Sequence, residues 1–152
     1  MYIVTGAAGF IGSNFIKKLN DEGITNIIAV DDFNKPEKWK NLVDLNFYNI
    51  YSKDKFLNKI VNGSMKAKIT SIFHFGACSN TMEEDHEYLF KNNYEYSMTL
   101  AQICKREQCK FIYASSAATY GSSTNFNDSD DISVLRPINM YGYSKQLFDL
   151  WM

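Results

Sequence analysis

Cysteine is scarce, with only Cys78, Cys104 and Cys109 in 152 residues. An odd number, behind a start without a basic n-region or an apolar h-region, excludes a disulfide framework and fits free thiols in a reducing cytoplasm. An excess of one charge is missing too, since 16 Lys+Arg stand against 17 Asp+Glu with no block of like charge. That balance offers no basic face to a polyanion, so nucleic acid is not an expected partner. No apolar run approaches the ~18 residues that span a bilayer, which removes a membrane-spanning helix. Repeats and low-complexity segments are absent, and Cys104 and Cys109 do not form a metal-ligand spacing, so no metal is expected.

What is present is an alternation of short apolar runs with longer segments of helical period. This is the pattern of βαβ units on a parallel sheet. Strands are expected at 2–5, 27–31, 70–75 and 110–115, with a weak one near 43–46. Helices are expected at about 9–22, 53–61 and 83–107, the last broken near Asn92 and Asn93 because paired asparagines are poor interior helix residues. The polar stretch 117–137 reads as loop, and a final helix starts near 137–139. The fold class is α/β, a Rossmann-like doubly wound parallel sheet. Leu147, Phe148, Leu150 and Trp151 need something to pack on, and such a sheet normally continues. Residues 1–152 are therefore expected to be an incomplete nucleotide-binding domain, truncated before its last strands. The alternative is a small flavodoxin-like domain.

The turn "TGAAGFIGSN" follows the first strand and opens the first helix, with Gly6, Gly9 and Gly12 spaced G-x-x-G-x-x-G. A pyrophosphate needs such a turn: no Cβ clash, close backbone N–H groups, and a helix N-terminus facing the negative charge. A glycine triplet alone also suits an ordinary tight turn. Asp31 at the end of the second strand adds an acid for the ribose hydroxyls, and the two together point to a bound dinucleotide. Asp31 followed by Asp32 argues for NAD, since two carboxylates repel a 2′-phosphate. Lys38 and Lys53 could counter that, although spacing alone reads them as solvated surface lysines.

Tyr141 and Lys145 stand four apart in the final helix, so they project from one face a turn apart. A free phenol is a poor base at neutral pH, and a nearby ammonium favours its charged form. Such a pair could take a proton from a substrate hydroxyl. "YASSAATYG" adds Ser115 and Ser116 at the rim where open α/β sheets bind ligands, and one of these hydroxyls could bond the same oxygen. Tyr-x-x-x-Lys by itself more often means a buried tyrosine beside a solvated lysine. The combination of turn, serines and Tyr-x-x-x-Lys is the stronger signal. His74 reads as core and His86 as a helix surface residue.

These motifs resemble those of the extended short-chain dehydrogenase/reductases, which share TGxxGxxG, a serine ahead of a YG pair, and Tyr-x-x-x-Lys. "GFIGSN", "NLVDLN", "IFHFGACS", "NNYEYS", "YASSAATYG" and "NMYGYSKQLFD" are similar, within that family, to nucleotide-sugar epimerases acting on an ADP-heptose for lipopolysaccharide core assembly. The resemblance runs from Met1 to Met152 and implies that this is the N-terminal half, with a C-terminal substrate domain absent. It implies Tyr141 as general acid/base, Lys145 on the nicotinamide ribose, and Ser116 assisting and touching substrate. It implies cofactor contacts from Phe10 and Ile11, from Asp31, Asp32, Lys38 and Lys53, from Phe75, Gly76, Ala77, Cys78 and Ser79, and from Asn92. NADP is the implied cofactor, with NAD possible because Asp32 stands where relatives often carry an amide. The implied reaction inverts C6 of the heptose through a transient ketone, with a second acid/base lysine beyond residue 152. A homo-oligomer, pentameric in the family, is implied for the full-length protein. The 152-residue chain alone is expected to bind dinucleotide weakly or not at all and to be inactive. A 4-epimerase and a non-catalytic dinucleotide-binding module stay open. A 4,6-dehydratase fits less well, because Ala117 and Ala118 follow Ser116 where those enzymes place an acidic pair.

Overall fold

The computed structural model describes residues 1–33, 36–124, 126–129 and 131–152. Parts of two expected loops, at Asn34, Lys35, Asn125 and Asp130, lie outside the described residues. The chain divides into two compact units, Met1–Gly76 with Ala101–Tyr113, and Ala77–Leu100 with Ala114–Met152.

The first unit is a five-stranded parallel sheet. Its strands are β1 (Tyr2–Thr5), β2 (Ile27–Asp31), β3 (Asn49–Ser52), β4 (Ser71–His74) and β5 (Lys110–Tyr113), in the order β3-β2-β1-β4-β5. Register is continuous, with Val4 opposite Ala29 on one side and Phe73 on the other. The chain winds outward from β1 in both directions, so the switch point lies between β1 and β4, where such sheets bind ligands. The third strand corrects the sequence reading: 43–46 carries no strand, and β3 lies at 49–52. "NIYS" supplies the β-branched and aromatic residues a strand favours, whereas a 3₁₀ turn, Lys38–Leu42, precedes 43–46.

β1 and β2 are buried almost throughout, as parallel strands covered on both faces should be. Val4, Ala7, Ile16, Ile27 and Ala29 form a core cluster, with Phe15, Leu19, Phe73 and Phe75 packed against it. Full burial of an aliphatic such as Ile16 contributes about 1.5–3 kcal/mol. Helix α1 (Phe10–Asp21) delivers Phe15, Ile16 and Leu19 to that cluster, i, i+1 and i+4 on one apolar stripe. Helix α2 (Lys53–Val61) buries Phe56 and Ile60 in the same way.

In the second unit the expected helix 83–107 is a composite: α3 (His86–Leu89), a π-helical segment Phe90–Glu95, and α4 (Tyr96–Glu107), whose last residues belong to the first unit. The predicted break at Asn92 and Asn93 is therefore a π-turn rather than an interruption. The stretch read as loop contains 3₁₀ turns at Ala117–Tyr120 and Ile132–Val134. Helix α5 (Met140–Trp151) begins on Asn139, whose side chain accepts from the Gly142 N–H at 2.8 Å. Among the described residues no helix is long and apolar enough to cross a membrane.

Candidate dinucleotide and acid–base sites

The glycine-rich turn joins β1 to α1. Gly6 has φ +67°, and a Cβ there would stand 2.7 Å from the Gly76 nitrogen. A Cβ on Gly12 would run into the Gly6 carbonyl oxygen. Both glycines are thus required by packing of the turn on itself and on the end of β4. The feature that suits an anionic ligand is different. α1 starts on Gly9 with no side-chain cap, and Phe10 and Ile11 in its first turn are 82% and 58% exposed. Uncapped first-turn N–H groups at a helix N-terminus suit a pyrophosphate, so these residues fit a dinucleotide.

Asp31 holds this turn. Its side chain is buried; Oδ2 accepts from the Ala8 N–H at 2.8 Å, and Oδ1 accepts from the Asp32 N–H at 2.7 Å and from Lys38 Nζ at 2.6 Å. Lys38, which spacing alone reads as solvated, is a largely covered ion-pair partner, its ammonium also donating to the Asp32 carbonyl. Asn41 donates to the Ala8 carbonyl at 2.8 Å, so both polar groups of Ala8 are held by residues from the β2 side. Asn41 was not legible as a site residue, lying in a polar stretch without period. Lys53 is half-buried at the start of α2. At the end of β4, His74 is buried with Nδ1 2.6 Å from Thr5 Oγ1, which accepts from the Gly76 N–H. His74 is core, and Phe75 and Gly76 close this unit.

The second unit holds the remaining candidates. Tyr141 is half-buried and Lys145 is 3% exposed, one turn apart on α5. Burial pushes the Lys145 ammonium below the usual lysine range, and the Asp149 carboxylate a turn further works against that shift. Ser116 lies on a segment packed against α5, where a Cβ on Gly142 would stand 2.6 Å from the Ala118 carbonyl oxygen. The absence of a Cβ on Gly142 thus lets the serine turn approach the helix that carries Tyr141. Ser116 Oγ accepts from the Ala118 N–H at 3.2 Å and caps that turn. Its neighbour Ser115 instead donates to Asp149 Oδ2 at 2.5 Å.

Asn93, fully buried on the π-helical segment, exchanges bonds with the Cys78 backbone, accepting from its N–H at 2.8 Å and donating to its carbonyl at 3.1 Å. It also bonds Ser144 Oγ at 3.1 Å, and Ser144 donates to the Tyr141 carbonyl. One amide therefore ties the 77–79 segment to the helix of the Tyr/Lys pair. Reading the asparagines as a helix break missed this; a polar residue on the buried side of an amphipathic period was the available signal. Ala77 and Cys78 are half-buried and Ser79 is exposed, while Asn92 donates to Asn93 Oδ1 at 3.1 Å.

A concavity of about 620 Å³ in this unit is lined by His86, Arg136, Ile138, Tyr143, Gln146 and Leu150 among others, and by none of the candidate site residues. His86 is exposed, as expected. Among the described residues no cluster of His, Cys, Asp and Glu could hold a metal ion.

The chain is similar along almost its whole length to known proteins. The chain is 48% identical over 99% of its length to the ADP-L-glycero-D-manno-heptose-6-epimerase of Nitratidesulfovibrio vulgaris strain Hildenborough, and 49% identical over 97% to that of Thiobacillus denitrificans. It spans about half the length of these relatives, 47% and 44%. The crystal structure of the Helicobacter pylori ADP-L-glycero-D-manno-heptose-6-epimerase superposes with a TM-score of 0.85 at 27% identity, covering 99% of this chain and 49% of that one. MoeE5 in complex with UDP-glucose and NAD superposes at 0.78 with 26% identity, covering 98% of this chain and 46% of that one. The model of the NAD dependent epimerase/dehydratase family matches residues 2–152, and the chain belongs to that family.

Proposed function

We propose that the chain carries the cofactor seat and the first acid/base of an ADP-L-glycero-D-manno-heptose 6-epimerase. The observation that carries this reading is the Tyr141–Lys145 pair on α5 with the Ser116 turn packed against the same helix at Gly142. The relatives' names supply the sugar nucleotide, an ADP-heptose, and the carbon that is inverted, C6; the D-glycero epimer is our reading of the substrate. The cofactor, when bound, supplies a reversible hydride acceptor, so that C6 passes through a ketone and is reduced again on the other face.

Tyr141 takes the proton of the C6 hydroxyl as the carbon is oxidised and gives it back on reduction. Lys145, buried one turn along the same helix, holds the ribose beside Tyr141. Ser116 hydrogen-bonds the same substrate oxygen and stabilises charge as it develops. Gly6, Gly9, Phe10, Ile11 and Gly12 hold the pyrophosphate; Phe75, Gly76, Ala77, Cys78, Ser79 and Asn92 supply the further cofactor contacts. The second acid/base falls to a residue beyond 152.

We favour NADP over NAD because Lys38 neutralises Asp31, and Lys53 adds a second cation for a 2′-phosphate, while Asp32 remains the opposing charge. The test is a substrate panel read by NMR, using the gene's full product. Conversion of the ADP-heptose at C6, with UDP-glucose and UDP-glucuronic acid unchanged, supports the reading. Inversion at C4 of a UDP-sugar without action on the heptose contradicts it.

A further inference from the structure

Three helices of the first unit end in the same backbone motif. After α1, Ile24 N–H bonds the Leu19 carbonyl around Gly23 at φ +77°; after α2, Ser64 N–H bonds the Lys59 carbonyl around Gly63 at φ +65°. After α4, Cys109 N–H bonds the Cys104 carbonyl at 3.0 Å around Gln108 at φ +54°, and Gln108 N–H bonds the Lys105 carbonyl. This is the Schellman motif, which brings together the side chains at the two ends of its 6→1 bond. In α1 those side chains are Leu19 and Ile24, an ordinary apolar contact. In α4 both are cysteines. The Cys104 thiol is 2% exposed and reaches the Lys110 carbonyl at 3.5 Å, and it hydrogen-bonds the half-buried Cys109.

We propose that Cys104 and Cys109 form a reversible disulfide site, closed by hydrogen peroxide and opened by a thiol. The backbone holds the pair at the two ends of one 3.0 Å hydrogen bond, and closure brings the sulfurs to ~2.05 Å. The order of events follows from exposure. Burial first, and then the neighbouring Cys109, push the Cys104 thiol up, so the more accessible Cys109 is the attacking group. Cys109 loses its proton and its sulfur attacks one peroxide oxygen; an S–O bond forms, the O–O bond breaks, and the departing hydroxide takes that proton as water. Cys104 sulfur then attacks Cys109 sulfur; the S–S bond forms, the S–O bond breaks, and hydroxide leaves with the Cys104 proton as a second water. Two thiols are oxidised by two electrons and one peroxide is reduced to two waters. Cys78, in the other unit, takes no part.

The test uses hydrogen peroxide on the native chain, alkylation with N-ethylmaleimide, and tryptic mass spectrometry without reduction. Trypsin cuts after Lys105 and Arg106, between the two cysteines, so peptides 92–105 and 107–110 separate unless a disulfide joins them. The expected result is loss of alkylation at Cys104 and Cys109 together, one linked species that dithiothreitol separates, and Cys78 still alkylated. In Cys104→Ser the linked species is lost and dimedone traps Cys109 as sulfenic acid. Alkylation of both thiols as in untreated protein, over-oxidised Cys109 beside alkylated Cys104, or a link to Cys78 would each overturn the proposal.

Discussion

Lys145 is the residue whose environment says most. A lysine 3% exposed is held by structure against its own hydration, and its pKa is lowered by burial with Asp149 opposing. The unfolded chain therefore binds more protons between that lowered value and the ordinary 10.5, and stability rises as pH climbs through that window. Lys145→Met should raise the melting temperature at neutral pH and flatten the alkaline rise while abolishing turnover. Differential scanning calorimetry against pH checks it; a lower melting temperature at pH 7 would show that the lysine stabilises the fold. Gly6 makes the opposite case. Gly6→Ala adds a Cβ 2.7 Å from the Gly76 nitrogen at φ +67°, which should cost about 2–4 kcal/mol in urea unfolding. The glycine spacing was legible as a nucleotide turn, but the packing of Gly6 on Gly76 was not, because contact between β1 and β4 depends on a strand order that periodicity does not encode.

Among the elements, the π-helical segment Phe90–Glu95 is what periodicity handled least well. A run of helix formers with two asparagines reads as a helix with a flaw. The flaw is the functional part: the wider turn lets Asn93 reach Cys78 and Ser144 at once. Asn93→Ala leaves the Cys78 N–H and carbonyl without those partners and should cost about 2–6 kcal/mol, at about 1–3 kcal/mol per group. Urea denaturation measures the loss, and a cost below 1 kcal/mol would mean water replaces the amide. β3 was misplaced for a related reason. "NLVDLN" is apolar enough to suggest a strand, yet the Lys38–Leu42 turn reaches into it, Leu42 buries, and pairing with β2 begins only at Asn49. Strands β1 and β2 are read correctly because they are buried on both faces, where a continuous apolar run is the direct signature.

At the scale of the whole molecule, the family and the fold are shared with proteins about twice as long, so this chain is one half of the relatives' plan. The α/β class and parallel sheet were legible from alternation alone. Asp31 and Asp32 read in isolation favour NAD; the ion pair from Lys38 to Asp31 is what moves our proposal to NADP, and no spacing rule could have predicted that pair. Isothermal titration should find NADP bound more tightly than NAD, and Lys38→Ala should weaken NADP by about tenfold, or 1.4 kcal/mol, with little change for NAD. Equal loss for both dinucleotides would reduce Lys38 to a structural partner of Asp31.

The most direct measurement is the turnover of Tyr141→Phe in the gene's full product on ADP-D-glycero-D-manno-heptose, with dinucleotide binding measured on the same sample. Removing only the phenolic oxygen should lower kcat by about 10²–10⁴-fold and leave dinucleotide affinity and melting temperature unchanged. A variant that epimerises at the unsubstituted rate would contradict the assignment of residue 141 as the acid/base.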